Sequence, residues 1–150
     1  MHGLFVQRPF ASSLVHGTKT IETRSYKLPR HLMGETVYII ETPRSGYRRA
    51  GDRGVIVGTV RFDGWKRYRN RDEWLADYPS HLVSDGDERY GWRHDRPKFG
   101  WTVAWLDDEA RYDCHPLDPT HYRGTGYGRV WITGCQPVAI RPDVQRAARS

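Results

Sequence analysis

Cysteines are few in this sequence, and long apolar runs are absent from it. The 150 residues include 2 cysteines, Cys114 and Cys135, which are too far apart for a C-x-x-C pair, so a disulfide framework is excluded. No stretch reaches the roughly 18 apolar residues that a membrane-spanning helix needs. The first residues also lack the charged and apolar regions of a secretory signal. We therefore expect a cytoplasmic protein with reduced thiols and no membrane contact.

Lysine is scarce as well. Lysine and arginine together number 24 against 18 acids, a net charge of +6. The lysines are Lys19, Lys27, Lys66 and Lys98, so the other basic residues are arginines. Arginine suits bidentate contacts to phosphate and guanine. Codon bias in a GC-rich genome would produce the same excess, so composition alone adds little to a nucleic-acid interpretation.

The order of turns and apolar segments predicts one β-rich domain over residues 1–150. Strands are predicted over 18–24, 36–41, 54–62 and 101–106, with shorter ones near 111–115, 129–133 and 137–140. Short helices are predicted over 8–17 and 71–78, the second capped by Asn70 and ended by Pro79. The tail, 143–150, is expected to form a short helix or to fray. This pattern predicts an α+β, mainly β fold: a partly open barrel with a few short peripheral helices.

One segment concentrates the positive charge. Residues 44–71 hold nine cations and two acids, a net charge of +7. The cations assigned to a nucleic-acid backbone are Arg44, Arg48, Arg49, Arg53, Lys66, Arg67 and Arg69. Tyr47, Trp65 and Tyr68 lie among them, which is typical of a groove that holds phosphates and stacks bases. The alternative is that these cations pair with the acidic stretch over 72–88.

The most specific motif lies near the start of the chain. Gln7, Pro9 and Ala11 lead to Gly17-Thr-Lys19-Thr-Ile-Glu22-Thr-Arg24-Ser-Tyr26. This segment resembles the ASCH domains of the PUA-like superfamily, which open with a short helix and continue with G-x-K-x-x-E-x-R and an aromatic residue. Arg8 interrupts the family's Q-P pair. The resemblance implies a PUA-like barrel with a cleft between the barrel and its first helix.

The resemblance also implies a ligand, RNA or a single modified nucleotide. The nucleotide-binding residues would be Lys19, Glu22, Arg24 and Tyr26. On a strand, Glu22 and Arg24 share one face. Glu22 would accept hydrogen bonds from a base while Lys19 and Arg24 hold phosphate or carbonyl oxygens. The alternative is an internal ion network that joins helix to strand. Single-stranded RNA is the expected partner, with DNA second, and no cofactor is expected.

Two further functions stay open. One branch of the family hydrolyses N4-acetylcytidine with a lysine and a threonine three residues later, and other relatives are ribonucleases. Lys19 matches that lysine, but Glu22 stands at the threonine position, so Thr20 or Thr23 would have to supply the hydroxyl. A hydrolase would use Lys19 and Glu22 as catalytic residues. The second alternative is a protein-interaction domain that docks an acidic partner.

Other residue clusters carry less information. The types of Cys114, His115, His121 and Cys135 suit zinc, but their spacing does not, so no metal site is predicted. The glycine-rich segment over 124–129 lacks the lysine of a phosphate loop and is interpreted as a turn or a rim of the cleft. Trp101, Trp105 and Trp131 are expected to pack the barrel.

Overall fold

The computed structural model describes residues 1–43, 54–106, 111–112, 115–116, 119–133 and 139–140. The strands are β1 (His2–Gln7), β2 (Ile21–Arg24), β3 (Val37–Thr42), β4 (Val55–Tyr68), β5 (Lys98–Leu106), β6 (Arg111–Tyr112), β7 (His115–Pro116), β8 (Tyr122–Gly126), β9 (Arg129–Ile132) and β10 (Ala139–Ile140). The helices are α1 (Phe10–Val15), α2 (Arg71–Ala76) and α3 (Tyr78–His81), and 3₁₀ turns lie at Arg30–Leu32 and Pro119–His121.

The main sheet has the order β2-β5-β4-β3-β1-β9-β8, and β7 pairs with β4 beside it. Strand β1 is parallel to β3 and antiparallel to β9, so the first strand lies inside the sheet. Strands β6 and β10 form a separate antiparallel pair. The edges of the main sheet are β2 and β8.

The sheet curves until its two edges approach each other. The Tyr26 hydroxyl, just after β2, donates to the Tyr127 carbonyl at the β8–β9 turn (3.0 Å). The Arg24 guanidinium on β2 also reaches across and donates to the Phe5 carbonyl on β1 (2.8 Å). No ladder joins β2 to β8 in the described part of the chain. The result is a partly open barrel with short helices outside it, which confirms the predicted α+β, mainly β class.

Strand β4 is longer than predicted. The sequence predicts an end at Phe62, because Asp63 and Gly64 disfavour a strand. The strand instead continues through these two residues to Tyr68. Its register against β5 shifts on both sides of Phe62, and such bulges allow a strand to bend and continue. Its first half pairs mainly with β3 and its second half with β5. One strand therefore connects the barrel to the basic residues after Gly64.

The core fills the barrel beneath α1. Its members, all buried, are Leu4, Val6, Ala11, Leu14, Leu28, Leu32, Val37, Ile39, Val60, Phe62 and Trp101. Trp101 is 0% exposed and meets Phe62 edge to face, with ring centroids 5.4 Å apart. Its predicted packing role is confirmed. Trp131 is partly buried against His2 (5.0 Å between centroids), whereas the Trp105 side chain lies outside the described residues.

The helix boundaries agree with the predictions at two positions and differ at a third. Gly17 ends α1 with φ 83°, and the Asn70 side chain accepts the Glu73 N–H (2.9 Å), so both predicted helix boundaries are confirmed. Pro79 does not stop the helical segment, because it lies in the first turn of α3, where its missing N–H is no loss. Strands β1 and β8 were not predicted. The tail, 143–150, is outside the described residues.

No helix in the described part of the chain is both long enough and apolar enough to cross a lipid bilayer.

Candidate nucleotide-binding cleft

A cleft of about 400 Å³ occupies the gap between the two edges of the sheet. Glu22, Thr23 and Arg24 of β2 form one wall, and Tyr122, Tyr127 and Gly128 of the β8–β9 hairpin form the opposite one. The remaining lining residues are Phe5, Val6, Gln7, Phe10, Thr42, Pro43, Val83, Arg89 and Tyr90. The open side of the barrel is therefore the entrance to a concavity lined by both polar and aromatic side chains.

The motif Lys19 to Arg24 forms a turn from α1 into β2. The backbone N–H of Lys19 donates to the Ser13 carbonyl (3.0 Å) and that of Thr20 to the Ser80 carbonyl (2.9 Å). These bonds fix the turn against both α1 and α3. Strand alternation then turns Glu22 and Arg24 to the same side, as predicted from the sequence.

Lys19 lies behind the cleft wall. Its side chain is 0% exposed, and it does not line the cleft. Its Nζ donates to the His81 carbonyl, lies 3.7 Å from Glu22 Oε1 and sits over the Phe10 ring (5.1 Å to the centroid). Burial lowers the pKa of Lys19, and Arg24 lowers it further, while Glu22 opposes both effects. The structure thus contains the internal ion network that the sequence left as an alternative.

Glu22 and Arg24 belong both to this ion network and to the lining of the cleft. Glu22 Oε1 also accepts the Thr23 N–H (3.1 Å), and Oε2 accepts from Arg24 Nη2 (3.2 Å). The same Nη2 donates to the Phe5 carbonyl on β1 (2.8 Å). Glu22 is 5% exposed and Arg24 is partly buried, so a carboxylate and a guanidinium are held rigidly at the cleft wall. Such a pair can accept from one ligand group and donate to another.

Tyr26 has a different place from the one predicted. It does not line the cleft; its hydroxyl holds the hairpin turn, and its ring packs on Tyr127 (5.3 Å) and Trp101 (5.3 Å). Burial raises the pKa of Tyr26. Tyr26 therefore positions the rim of the cleft from behind.

Several lining residues were missed by sequence reasoning. Phe10, Tyr90, Tyr122 and Tyr127 supply aromatic surface, and Arg89 adds a cation. They come from α1, the loop before β5 and the β8–β9 hairpin, and no local pattern joins these segments. The one available signal was the glycine-rich segment over 124–129, whose turn carries Tyr127 at φ 55° and Gly128 at φ 76°.

The predicted basic segment is only partly described. Arg44, Arg48, Arg49 and Arg53 lie outside the described residues. Lys66 pairs with Asp77, and Arg69 pairs with Glu73 (3.2 Å), while the Arg67 guanidinium lies over the Phe99 ring (5.7 Å). None of these three lines the cleft. Pairing with the following acidic stretch, the alternative to a backbone groove, thus accounts for two of them.

The prediction on metals concerns residues that are mostly not described. Cys114 and Cys135 lie outside the described residues, as does the side chain of His115. In the described ranges, no three histidine, cysteine or acidic side chains come together in a way that could hold a metal ion.

His81 connects the ion network to α2 and predicts a pH effect. It is 0% exposed and stacks on Trp74, with centroids 4.7 Å apart. The Val83 N–H donates to its Nδ1 (3.0 Å), so Nε2 carries the proton and donates to the Trp74 carbonyl (2.8 Å). Burial lowers the pKa of His81; the Trp74 carbonyl and Asp77 raise it, while Lys19 and Lys98 lower it.

We expect the free energy of unfolding to fall as the pH drops below about 6.5, because the unfolded chain then binds a proton that folded His81 resists. Urea unfolding between pH 8 and 5 measures this slope, and His81→Gln should flatten it. His2, whose pKa burial also lowers, is present in both proteins, so the difference isolates His81. Equal slopes in the two proteins would show that His81 does not resist protonation.

Comparison with known proteins supports the fold. No family model and no curated protein matches the sequence. The crystal structure of the ASCH protein from Zymomonas mobilis is similar, with a TM-score of 0.60 at 14% identity over 99% of this chain and 93% of that one. Two point-mutant structures of the same protein give TM-scores of 0.61 and 0.62, each at 13% identity over 99% of this chain and 96% and 94% of theirs. This chain therefore has the fold of the Zymomonas mobilis ASCH protein, a partly open barrel with short helices outside it.

Proposed function

We propose that this protein binds RNA by taking one nucleotide, modified or unmodified, into the cleft between β2 and the β8–β9 hairpin. The observation that carries the proposal is the combination of aromatic rings with the rigid Glu22–Arg24 pair in one concavity of about 400 Å³. Pockets for small ligands are commonly of this size and are apolar with a few fixed polar groups. Stacking on aromatic side chains is how proteins hold unpaired bases.

The polar groups suggest how a base would be recognised. Glu22 has an oxygen at the wall that can accept from an exocyclic amino group, and Arg24 can donate to a carbonyl or a phosphate. Lys19 would act through Glu22, because its own ammonium group is buried and bonded to the His81 carbonyl. We therefore assign Lys19 to positioning and Glu22 and Arg24 to ligand contact.

Hydrolysis of a modified nucleotide or of RNA is the second candidate. Two observations favour it: the lowered pKa of Lys19, which is typical of activated lysines, and the Thr23 residue at the cleft wall, which could supply a hydroxyl. Thr20 does not line the cleft. Binding is the stronger proposal, since Lys19 Nζ has no exposed surface from which to reach a substrate. The same experiment distinguishes the two functions.

The test is retention from a mixed pool. RNA fragments and modified nucleosides are incubated with wild type, Tyr127→Ala and Tyr78→Ala, and the bound and free fractions are analysed by mass spectrometry. Tyr127 is 76% exposed on the cleft rim, and Tyr78 is 45% exposed on α3 away from it. Both substitutions remove an exposed tyrosine ring, so Tyr78→Ala controls for the loss of such a ring outside the cleft.

We expect Tyr127→Ala to retain about tenfold less RNA than wild type, because stacking of one base contributes about 1–3 kcal/mol. Tyr78→Ala should retain as much as wild type. A chemically altered species made by wild type would establish a hydrolase instead. Failure of wild type to retain or alter anything would contradict both functions and favour the alternative of an acidic protein partner.

A further inference from the structure

A second, smaller space adjoins the cleft, and the charged residues that line it are all basic; we call it the neck. This neck, about 130 Å³ in volume, shares Thr23, Arg24, Arg89 and Tyr90 with the cleft. Its cations are Arg24, Arg89, Arg93, Arg96 and Lys98. No aspartate or glutamate is present among the described residues that line it. Five cations around so small a space, with no carboxylate in its described lining, favour an anion there, although Arg24 is paired with Glu22 and Lys98 donates to the Tyr90 and Gly91 carbonyls.

A groove of about 470 Å³ lies next to the neck. Arg93, Arg96 and Pro97 line both spaces, so the neck and the groove are adjacent. The groove adds Arg67, Arg69, Arg71 and Trp92, and the acidic residue in its described lining is Asp95. Cleft, neck and groove thus form one path along the surface, with the positive charge concentrated beyond the cleft.

The state of these cations decides whether they can bind phosphate. Arg69 and Arg71 pair with Glu73 and Asp85. Arg93 pairs with Asp95 (2.9 Å), but their side chains are 48% and 64% exposed, and such surface pairs are weak and exchange readily. Arg96 is exposed and has no carboxylate within 4.0 Å among the described residues. Arg93 and Arg96, which lie where neck and groove meet, are therefore the cations best placed to take a phosphate.

We infer that the ligand is a single nucleic-acid strand, whose base enters the cleft and whose following phosphates run through the neck into the groove. The inference rests on the proposed function and specifies its ligand. A free nucleoside would leave the neck and groove empty, and a mononucleotide would reach no further than the neck. A duplex does not suit the path, because a base must be unpaired to enter the cleft.

The path also locates the phosphate contacts differently from the sequence interpretation. Arg67 and Arg69 of the predicted basic segment border the groove, but the neck is built by Arg89, Arg93 and Arg96, from the loop before β5. The sequence predicts neither a helix nor a strand for that loop. Bidentate arginine contacts at the neck would fix the strand's register while the cleft reads its base.

The test is anisotropy of a short, fluorescein-labelled, single-stranded RNA of mixed sequence, titrated at several salt concentrations. Wild type is compared with Arg93→Gln/Arg96→Gln, with Tyr127→Ala, and with the control Arg30→Gln/Arg123→Gln. Arg30 and Arg123 are exposed and line neither cleft, neck nor groove. The control therefore removes the same charge from elsewhere.

We expect the Arg93/Arg96 variant to bind roughly 10-fold to 100-fold more weakly than wild type at about 50 mM salt. Its slope of log affinity against log salt should be smaller by about 1.4, since each lost single-strand phosphate contact accounts for about 0.7. Tyr127→Ala should weaken binding with the slope unchanged, and the control should stay close to wild type. An unlabelled duplex of the same sequence should compete poorly.

Four other outcomes would each contradict a different part of the inference. If Tyr127→Ala weakens binding but the Arg93/Arg96 variant equals the control, the cleft binds a nucleotide and the path beyond it is refuted. If only the Arg93/Arg96 variant weakens binding, the strand does not enter the cleft, and the inference fails with the proposed function. If the duplex competes as well as the single strand, the single-strand assignment is wrong. If wild type binds no RNA at all, both proposals fall.

Discussion

Replacing Lys19 with alanine is expected to lower the free energy of unfolding by about 3–5 kcal/mol, the usual cost of removing one partner from a buried ion pair. The substitution leaves the buried Glu22 carboxylate with Arg24 as its remaining cation. It also leaves the His81 carbonyl without its donor and creates a cavity where a fully buried side chain had been. Urea unfolding at pH 7 measures the change.

The matched variants are Lys19→Met, Glu22→Gln and the double variant. Methionine restores most of the volume, so the difference between Lys19→Ala and Lys19→Met isolates the cavity. If the ion pair stabilises the turn, the double variant should be more stable than the sum of the single losses implies, because neither charge is then left alone. A loss below about 1 kcal/mol for Lys19→Ala would show that Lys19 is not part of a stabilising network.

Replacing Trp101 with alanine is the second large effect, with an expected loss of about 3–5 kcal/mol, as for other large buried aromatic residues. Trp101 is 0% exposed, packs on Phe62 and Tyr26, and donates from Nε1 to the Tyr26 carbonyl (3.0 Å). It also lies directly opposite Glu22 in the β2–β5 ladder, with the Arg24 guanidinium over its ring (5.9 Å). We therefore expect RNA retention to fall as well, when measured well below the melting temperature of the variant.

Trp101→Phe separates packing from the hydrogen bond. Phenylalanine keeps an aromatic ring against Phe62 but loses the Nε1 donor, a loss of about 1 kcal/mol in addition to the smaller volume. Its unfolding free energy should lie much closer to wild type than that of Trp101→Ala. Equal losses in the two variants would mean that the hydrogen bond to Tyr26, rather than packing, fixes this part of the barrel.

The first motif could be predicted from the sequence because its signals are local. Gly17 marks the end of a helix, and alternation within β2 determines which side chains share a face. The fold followed from the same motif through its resemblance to ASCH domains. Strands β1 and β8 could not be predicted: Gly3 and Gly124 lower strand propensity, and both strands exist because of partners far along the chain.

The candidate site was less predictable than the fold. The sequence placed Lys19, Glu22 and Arg24 together but could not show that Lys19 is buried, since the carbonyl that accepts its hydrogen bond belongs to His81, far along the chain. Tyr26 lies behind the rim, while Tyr90, Tyr122 and Tyr127 line the cleft. Cleft walls assembled from distant segments leave no pattern at any fixed spacing, so only the three-dimensional arrangement identifies them.

The separation between the ion network and the cleft rim has a consequence for how this domain can diverge. The charged groups that hold β2 in place are buried, whereas Tyr127 and Arg89 are exposed on other segments. Exposed positions usually tolerate substitution within about 0.5 kcal/mol, so descendants of this protein can exchange rim residues with little effect on folding. Relatives that keep the K-x-x-E-x-R spacing can thus differ at the rim, and that spacing alone is a poor guide to the ligand that each one would take.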